Sequence, residues 1–490
     1  IPLQSKNFFS FRLNKKKKFK NIKVDSIINF DEIYLNNNYQ NLIYLKEGTI
    51  NSKYENNKFT ADIISNFAFY DDLKLKNNYK NNDLKFSLKI ENNQKIEVNG
   101  YLKNDETLLN SKILLNLIKL DPNLLSGENV NIATNNQIKF EINNNKIENY
   151  LINSTINLDK LKFNKEIQDI LYLKNIKSEL TFGNELLKLD LKSNYSFNNQ
   201  SYNNKLDNNI INLKLDKTKS DISDVEIFLQ TKNNNINIKE FKKYLTLKDE
   251  LVEDQIINLD SNSKIYFSLD EGFNIKNLVV RSDLNFDNLK INYKSKNIKR
   301  YLENYENKLN IKNPNILLEY SNDIMNFQID GEYSINKKED NFFIKFKGNK
   351  DNFELYSLLD LNNNILKLNE IQYYKKNNTP SKLEILINNS QKGSNIEKIN
   401  FTENENFIKI KNLEISDELK IKSVDKIDIN YLNQNGILNN FVIKKNLNNY
   451  NFIGRHIDGE KLVERILKNN SKNKISRFFD DISTSVILNL

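Results

Sequence analysis

The chain has 490 residues, enough for several ordinary domains, yet hydrophobic residues, tyrosine included, make up only 38%, below the roughly 45–50% of globular domains. Its 73 basic and 64 acidic residues are interleaved with no stripe that would track a phosphate backbone, which argues against nucleic acid as a partner. No cysteine and one histidine, His456, exclude disulfides, thiol catalysis, His-based metal clusters and His-based catalytic pairs.

Disorder is the obvious rival for so thin a core. Aromatics at 11% and a net charge of +9 over the whole chain oppose it. The excess of Asn, Lys, Ile and Tyr is that of an AT-rich genome, so the basic pI is weak evidence for an acidic partner. The first residue is Ile1 and the sole methionine is Met325. The sequence therefore reads as a fragment whose start lies elsewhere. No apolar run approaches the roughly 18 residues of a spanning helix, so any anchor or export signal is expected in the absent part.

In chain order, residues 1–24 read as a basic lead-in. Its charge run, Lys15 to Lys18 plus Lys20, is read as a solvated linker, with a patch for anionic lipid headgroups as the alternative. Alternation of period two then begins. Leu84, Phe86, Leu88 and Ile90 fall on one face; a turn at Asn92-Asn93 leads back through Ile96, Val98 and Leu102. The stretch 108–127 is ambiguous between a buried strand and a helix. From Glu179 to Phe197, Leu180 and Phe182 precede a turn at Gly183-Asn184, and Leu187, Leu189, Leu191 and Tyr195 return on the same face. Ile211, Leu213 and Leu215 follow, then Val225, Ile227 and Leu229.

A short helix is expected from Asn237 to Leu245, capped by Asn237. Further strands carry Ile265, Phe267 and Leu269, then Phe342, Ile344 and Phe346, then Ile408 and Ile410. Asp458 caps a last expected helix with Leu462, Val463, Ile466 and Leu467 on its apolar side. Strand spacings of about 8–14 residues, separated by Asn, Asp and Lys, are those of an antiparallel meander. Asn tolerates the left-handed turn conformation usually supplied by Gly, which lets so many turns form with 11 glycines.

The expected fold is mainly β: an elongated, twisted and curled antiparallel sheet forming an open groove of repeated hairpins over 25–457, with few short helices. Residues 458–490 continue it as a helix and terminal strand. A large sheet with one apolar face cannot leave that face in water. A membrane barrel would show aromatic girdles and regular strands, and a packed solenoid a fixed repeat period. Neither pattern is present. The remaining reading is a trough for acyl chains.

The C-terminal run from Gly436 to Leu490 resembles the end of a bacterial AsmA-like repeat protein of the YhdP/TamB group, bridge-like lipid transfer proteins. In that group a strand closes on a Gly and an Asp, matched here by Ile453, Gly454 and Asp458; a short helix follows, matched by Glu460 to Leu467, and a strand resumes in "SVILNL". The resemblance implies non-enzymatic transport of phospholipid through the periplasm of a Gram-negative-type bacterium. It also implies an inner-membrane anchor missing from this chain, and contact with both membranes through segments outside it.

The candidate lining of the groove is Leu84, Phe86, Leu88, Ile90, Leu180, Phe182, Leu187, Leu189, Leu191, Val225, Ile227 and Leu229, facing phospholipid acyl chains. No catalytic residue, metal site or cofactor is expected, and His456 is given no role. The alternative is a structural or adhesive cell-surface β-protein whose apolar face is a dry, self-packed core.

Overall fold

A computed structural model describes residues 3–34, 43–69, 82–91, 95–111, 125–144, 146–162, 172–196, 209–218, 222–238, 253–270, 274–390, 393–415, 421–447 and 449–458. The chain is mainly β. Among the described residues there are 27 strands, of which 25 belong to one sheet and the other two form a separate small hairpin. The sheet is antiparallel and is not closed into a barrel: its first strand pairs only with the second, and its last only with the one before it, among the described residues. Asn237, the expected helix cap, ends β12, and Leu108–Asn110 of the ambiguous stretch 108–127 end β6; residues 239–245, 459–467 and 112–124, and the strand "SVILNL", lie outside the described residues.

The chain divides into two units, Ile1–Thr231 with Lys264–Leu278, and Lys232–Ser263 with Val279–Leu490. In the first unit the strands are β1 (Leu3–Leu13), β2 (Phe19–Tyr34), β3 (Ile43–Glu55), β4 (Lys58–Phe69), β5 (Asn82–Glu91), β6 (Lys95–Asn110), β7 (Asn129–Asn143), β8 (Lys146–Lys162), β9 (Tyr172–Gly183), β10 (Leu186–Ser196), β11 (Ile210–Thr218) and β12 (Ser223–Asn237). Each pairs with the next in sequence. The turn at Gly183-Asn184 falls between β9 and β10 as its sequence indicates, and the Asn184 side chain accepts a hydrogen bond from the Tyr150 N–H at 3.1 Å. The lysine run is the turn of the first hairpin, between β1 and β2.

Asparagine does the backbone work that scarce glycine would otherwise do. Among the described residues, fourteen of the twenty non-glycine residues with positive φ are asparagines. Some sit in turns, such as Asn56, Asn57, Asn144, Asn322 and Asn404. Others sit where the register shifts: Asn21 opposite Ser10–Arg12, and Asn175 opposite Lys192–Asn194. There one strand carries an extra residue that needs the left-handed region.

The second unit continues the antiparallel pattern through β13 (Ile256–Leu269), β14 (Ile275–Phe286), β15 (Asn288–Asn292), β16 (Lys308–Ser321), β17 (Ile324–Ser334), β18 (Asp340–Gly348) and β19 (Phe353–Asp360), with β12, β13 and β14 divided between the units. After the hairpin β20 (Leu366–Leu368) and β21 (Tyr373–Lys375) come β22 (Ser381–Ser390), β23 (Gly393–Glu403), β24 (Asn406–Ile415), β25 (Ile421–Leu432), β26 (Leu438–Asn446) and β27 (Asn449–His456). The six-residue helix α1 (Lys296–Tyr301) opens on Ser295, whose hydroxyl accepts the Ile298 N–H at 3.2 Å.

Candidate functional site: a half-open apolar face

In the first unit, strand register converts separate alternating segments into continuous rows on one face. One row crosses eight pairings: Ile28, Ile50, Ile63, Phe86, Gly100, Ile138, Ile152, Phe182 and Leu187. A second runs Leu84, Leu102, Asn136, Ser154, Leu180, Leu189, Leu215 and Val225. Leu191, Leu213 and Ile227 make a third, Ser193, Ile211 and Leu229 a fourth, and Leu88 and Ile90 lie beside Phe86 on β5. All twelve candidate lining residues therefore share one face. A slip of a single residue in any strand would have moved its set to the other side.

Burial changes along each strand. On β9, Leu173 and Ile176 are buried, Leu180 is half-buried and Phe182 is exposed; on β10 the order reverses from half-buried Leu187, Leu189 and Leu191 to buried Tyr195. On β5 Leu84 is buried, whereas Phe86, Leu88 and Ile90 are half-buried. Val225 is buried and Ile227 and Leu229 half-buried on β12. On β5, β9 and β10 the face is thus closed toward one end and half-open toward the other, with Leu84 in the closed part. On β12 the order differs: Val225 is buried although it shares a row with half-buried Leu189, and Ile227 and Leu229, toward the closed end, are half-buried.

Several polar side chains within the closed part bond to one another and to the backbone. Asn104 Nδ2 donates to Ile132 O at 2.9 Å and Asn136 Nδ2 to Leu102 O at 3.0 Å, while Thr134 donates to Asn104 and Ser154 to Asn136. This is how buried amides avoid a desolvation cost of about 1–3 kcal/mol each.

The opposite face is ionic and wet. Lys85, Tyr101, Gln137, Asn153, Thr181, Lys188 and Asp216 form the row behind Phe86 and Leu189. Lys188 pairs with Asp216 at 3.3 Å. Glu91 accepts from Lys89 at 2.9 Å and Lys58 at 3.2 Å, which hold its carboxyl below the usual range. A shallow depression of about 680 Å³ on this unit is lined by Glu179, Lys188, Asp190, Lys214, Asp216, Asp224 and Glu226. Five of these side chains are acidic and two basic, so the depression is net negative. No group of three or more His, Asp or Glu placed to hold a metal ion occurs among the described residues.

The second unit carries its own rows. One runs Phe342, Leu359, Leu383, Phe401, Ile408, Ile429 and Phe441; beside it run Ile316, Ile329, Ile344, Ser357, Ile385, Ile399, Ile410, Ile427, Ile443 and Phe452. The first of these is covered by the segment 361–380. Tyr373 is buried against Phe401 and Tyr431, with ring centroids 5.7 and 5.3 Å away, and Leu366, Leu368 and Ile371 pack beside it.

Lys375 locks the segment in place. Fully buried, its ammonium donates to the carbonyls of Asn362, Asn364 and Lys376 at 3.2, 2.8 and 3.0 Å, and burial pushes its pKa down. The stretch around α1 joins the cover through a Leu302–Leu366 bridge and the Ile365 N–H donated to Asn304 at 3.3 Å. The side chains of Tyr305 and Ile298 bury Tyr333 and Phe342 beneath it.

One feature of the apolar faces is not evident in any single segment. Five glycines stand directly opposite phenylalanines across the ladder: Gly48 with Phe30, Gly100 with Phe86, Gly331 with Phe342, Gly348 with Phe353 and Gly454 with Phe441. At Gly48 and Gly100 the phenyl ring occupies the space a Cβ would take. The pairing emerges only when register is known.

His456 ends β27 and is exposed. Asp458 accepts from Asn433 at 2.6 Å and Gln372 at 3.4 Å, so in the described residues it ties the end of β27 to the loop before β26 and to the cover. No known protein family matches the chain, and no curated protein is significantly similar to it.

Proposed function

We propose that the chain is a segment of a non-enzymatic phospholipid conduit, with acyl chains lying along the half-open apolar face of the first unit. The observation that carries this reading is that Phe86, Leu88, Leu187, Leu189 and Leu191 are continuous across strands yet only half-buried. A dry sandwich buries its inner faces against a second sheet about 10 Å away. Among the described residues, every strand except β20 and β21 belongs to the same ladder, and no second large sheet is present.

The energetics favour a uniform surface. Each acyl CH₂ kept from water is worth about 0.8 kcal/mol, so rows without a deep local site lower the cost of extracting a lipid without trapping it. The resemblance to AsmA-like proteins supplies the setting of the proposal: the periplasm, with phospholipid passing between inner and outer membranes. The chain purified from bacterial membranes, examined by native mass spectrometry, is expected to carry phospholipid in more than one copy. A lipid-free folded protein would refute the reading.

The second reading, a structural protein with a dry core, draws on the second unit. There Phe401, Ile408, Ile429 and Phe441 are buried under Tyr373 and its neighbours. That cover extends over one row, while the adjacent row from Ile329 to Ile443 stays half-buried.

A further inference from the structure

We infer that the hairpin of β1 and β2 is a docking element for an anionic membrane surface. The inference is independent of the conduit reading. Residues 1–24 carry eight basic side chains and no acidic one, which leaves 65 basic against 64 acidic residues in the rest of the chain. Asp25, Asp31 and Glu32 follow on β2, so the whole hairpin carries a net charge of +5, more than half of the chain's +9, with all its basic residues preceding Asp25.

The tip is built rather than frayed. The Asn14 side-chain oxygen accepts the N–H groups of Lys16 and Lys18 at 3.0 and 2.9 Å. The Asn14 N–H donates to Lys18 O at 3.0 Å and its carbonyl accepts the Lys17 N–H at 2.9 Å. These bonds present Lys15 to Lys18 as an ordered, exposed loop. No ion pair engages those four lysines or Lys20 among the described residues.

Behind the loop, large apolar side chains stand in water. Phe9, Phe11 and Leu13 alternate onto one face of β1, Phe19 pairs with Leu13, and Phe11 and Phe19 meet edge to face at 4.8 Å. Their exposures are 70, 53, 58 and 60%. Aromatic and aliphatic side chains on one face beside clustered lysines are the pattern of interfacial binding, where the rings enter the headgroup boundary and the lysines meet anionic lipid. A nucleic acid backbone would use the lysines but gives the four apolar side chains nothing to bury against.

The intact chain has no tryptophan, so Phe11→Trp introduces a sole indole. With vesicles of phosphatidylcholine containing phosphatidylglycerol, its emission should shift to the blue and be quenched by brominated lipid; with phosphatidylcholine alone it should not. Lys16→Gln/Lys17→Gln should weaken vesicle binding by roughly 25-fold, from about fivefold per lysine, with unchanged far-UV circular dichroism. Phe9→Ser/Phe11→Ser should weaken it as well. Lipid carried elsewhere on the chain cannot imitate this outcome, since the lysine variant should leave co-purified lipid unchanged.

Equal binding to neutral vesicles, or sedimentation with anionic vesicles without a shift or quench, would overturn the inference. So would no vesicle binding, or binding to duplex DNA that is tighter than to vesicles and indifferent to the Phe substitutions.

Discussion

The Phe86 ring lies over Gly100, its direct partner on the neighbouring strand, with Cδ1 2.7 Å from where a Gly100 Cβ would stand. The bare glycine is thus the floor on which the ring rests, and Phe86 fills the gap that Gly100 would leave in the row between Ile63 and Ile138. Aromatic cover of a glycine is one way a sheet tolerates a residue that otherwise weakens it. Gly100→Ala should destabilise the first unit by about 1–3 kcal/mol through overpacking. Adding Phe86→Leu should return part of that loss, and the non-additivity in urea midpoints measures the contact.

Leu189 lies between Leu180 and Leu215 and is half-buried. Leu189→Asp places a carboxylate where no partner waits. In a dry core this costs several kcal/mol and unfolds the strand. On a half-open face water reaches the carboxylate, so the expected outcome is a modest loss of stability with loss of bound phospholipid. Cooperative unfolding on denaturation at low urea would favour the dry-core reading.

Alkali should unfold the second unit. Burial holds the Tyr431 hydroxyl up at about 12, and pushes Tyr333 and Tyr373 higher still from the ordinary value of 10. A group whose folded pKa is raised stabilises the fold below the unfolded pKa and loses that contribution as pH rises through the folded one. Lys375 works in the opposite direction, since its folded pKa is lowered, but its effect ends near 10.5, where the unfolded lysine also loses its proton. Between about pH 10.5 and 12 each protonated tyrosine should therefore remove about 1.4 kcal/mol per pH unit. Urea midpoints across this window should fall steeply, and less steeply in Tyr431→Phe.

Lys375→Met keeps the aliphatic stem and removes the donor that holds three carbonyls. The segment 361–380 should loosen by about 2–4 kcal/mol, read as faster amide hydrogen exchange over Leu366–Lys375 and new proteolytic cleavage there, with slower change in β22 to β26. Equal exchange in Lys375→Met and the unaltered protein would mean that the apolar contacts of Tyr373 alone hold the cover.

The fold class was readable because alternation reports local strand geometry directly: Leu187, Leu189 and Leu191 need no tertiary context to share a face. Asparagine as a turn former was readable for the same reason, from its tolerance of the left-handed region. The depth of each position was not, because Leu84 and Phe86 look alike in sequence and differ only in what lies over them. The cover of the second unit was equally hidden: Tyr373 and Lys375 acquire their roles from Phe401 and from carbonyls of the preceding loop. The glycine–phenylalanine pairs depend on register between strands up to about twenty residues apart, which no single segment encodes. The lysine run was visible, but its position at an ordered hairpin tip beside Phe11 and Phe19 required the pairing of β1 with β2.

The central claim is that one face of the first unit meets acyl chains and the other meets water. Photo-crosslinkers placed at Phe86, Leu189 and Ile227 in cells test it against crosslinkers at Lys85, Lys188 and Glu226, each one residue away on the opposite face. The account predicts phospholipid adducts at the first three positions and none at the second three, a contrast that only a period of two explains. Equal labelling at both sets, or no lipid at Phe86, Leu189 and Ile227 in a folded protein, would contradict it.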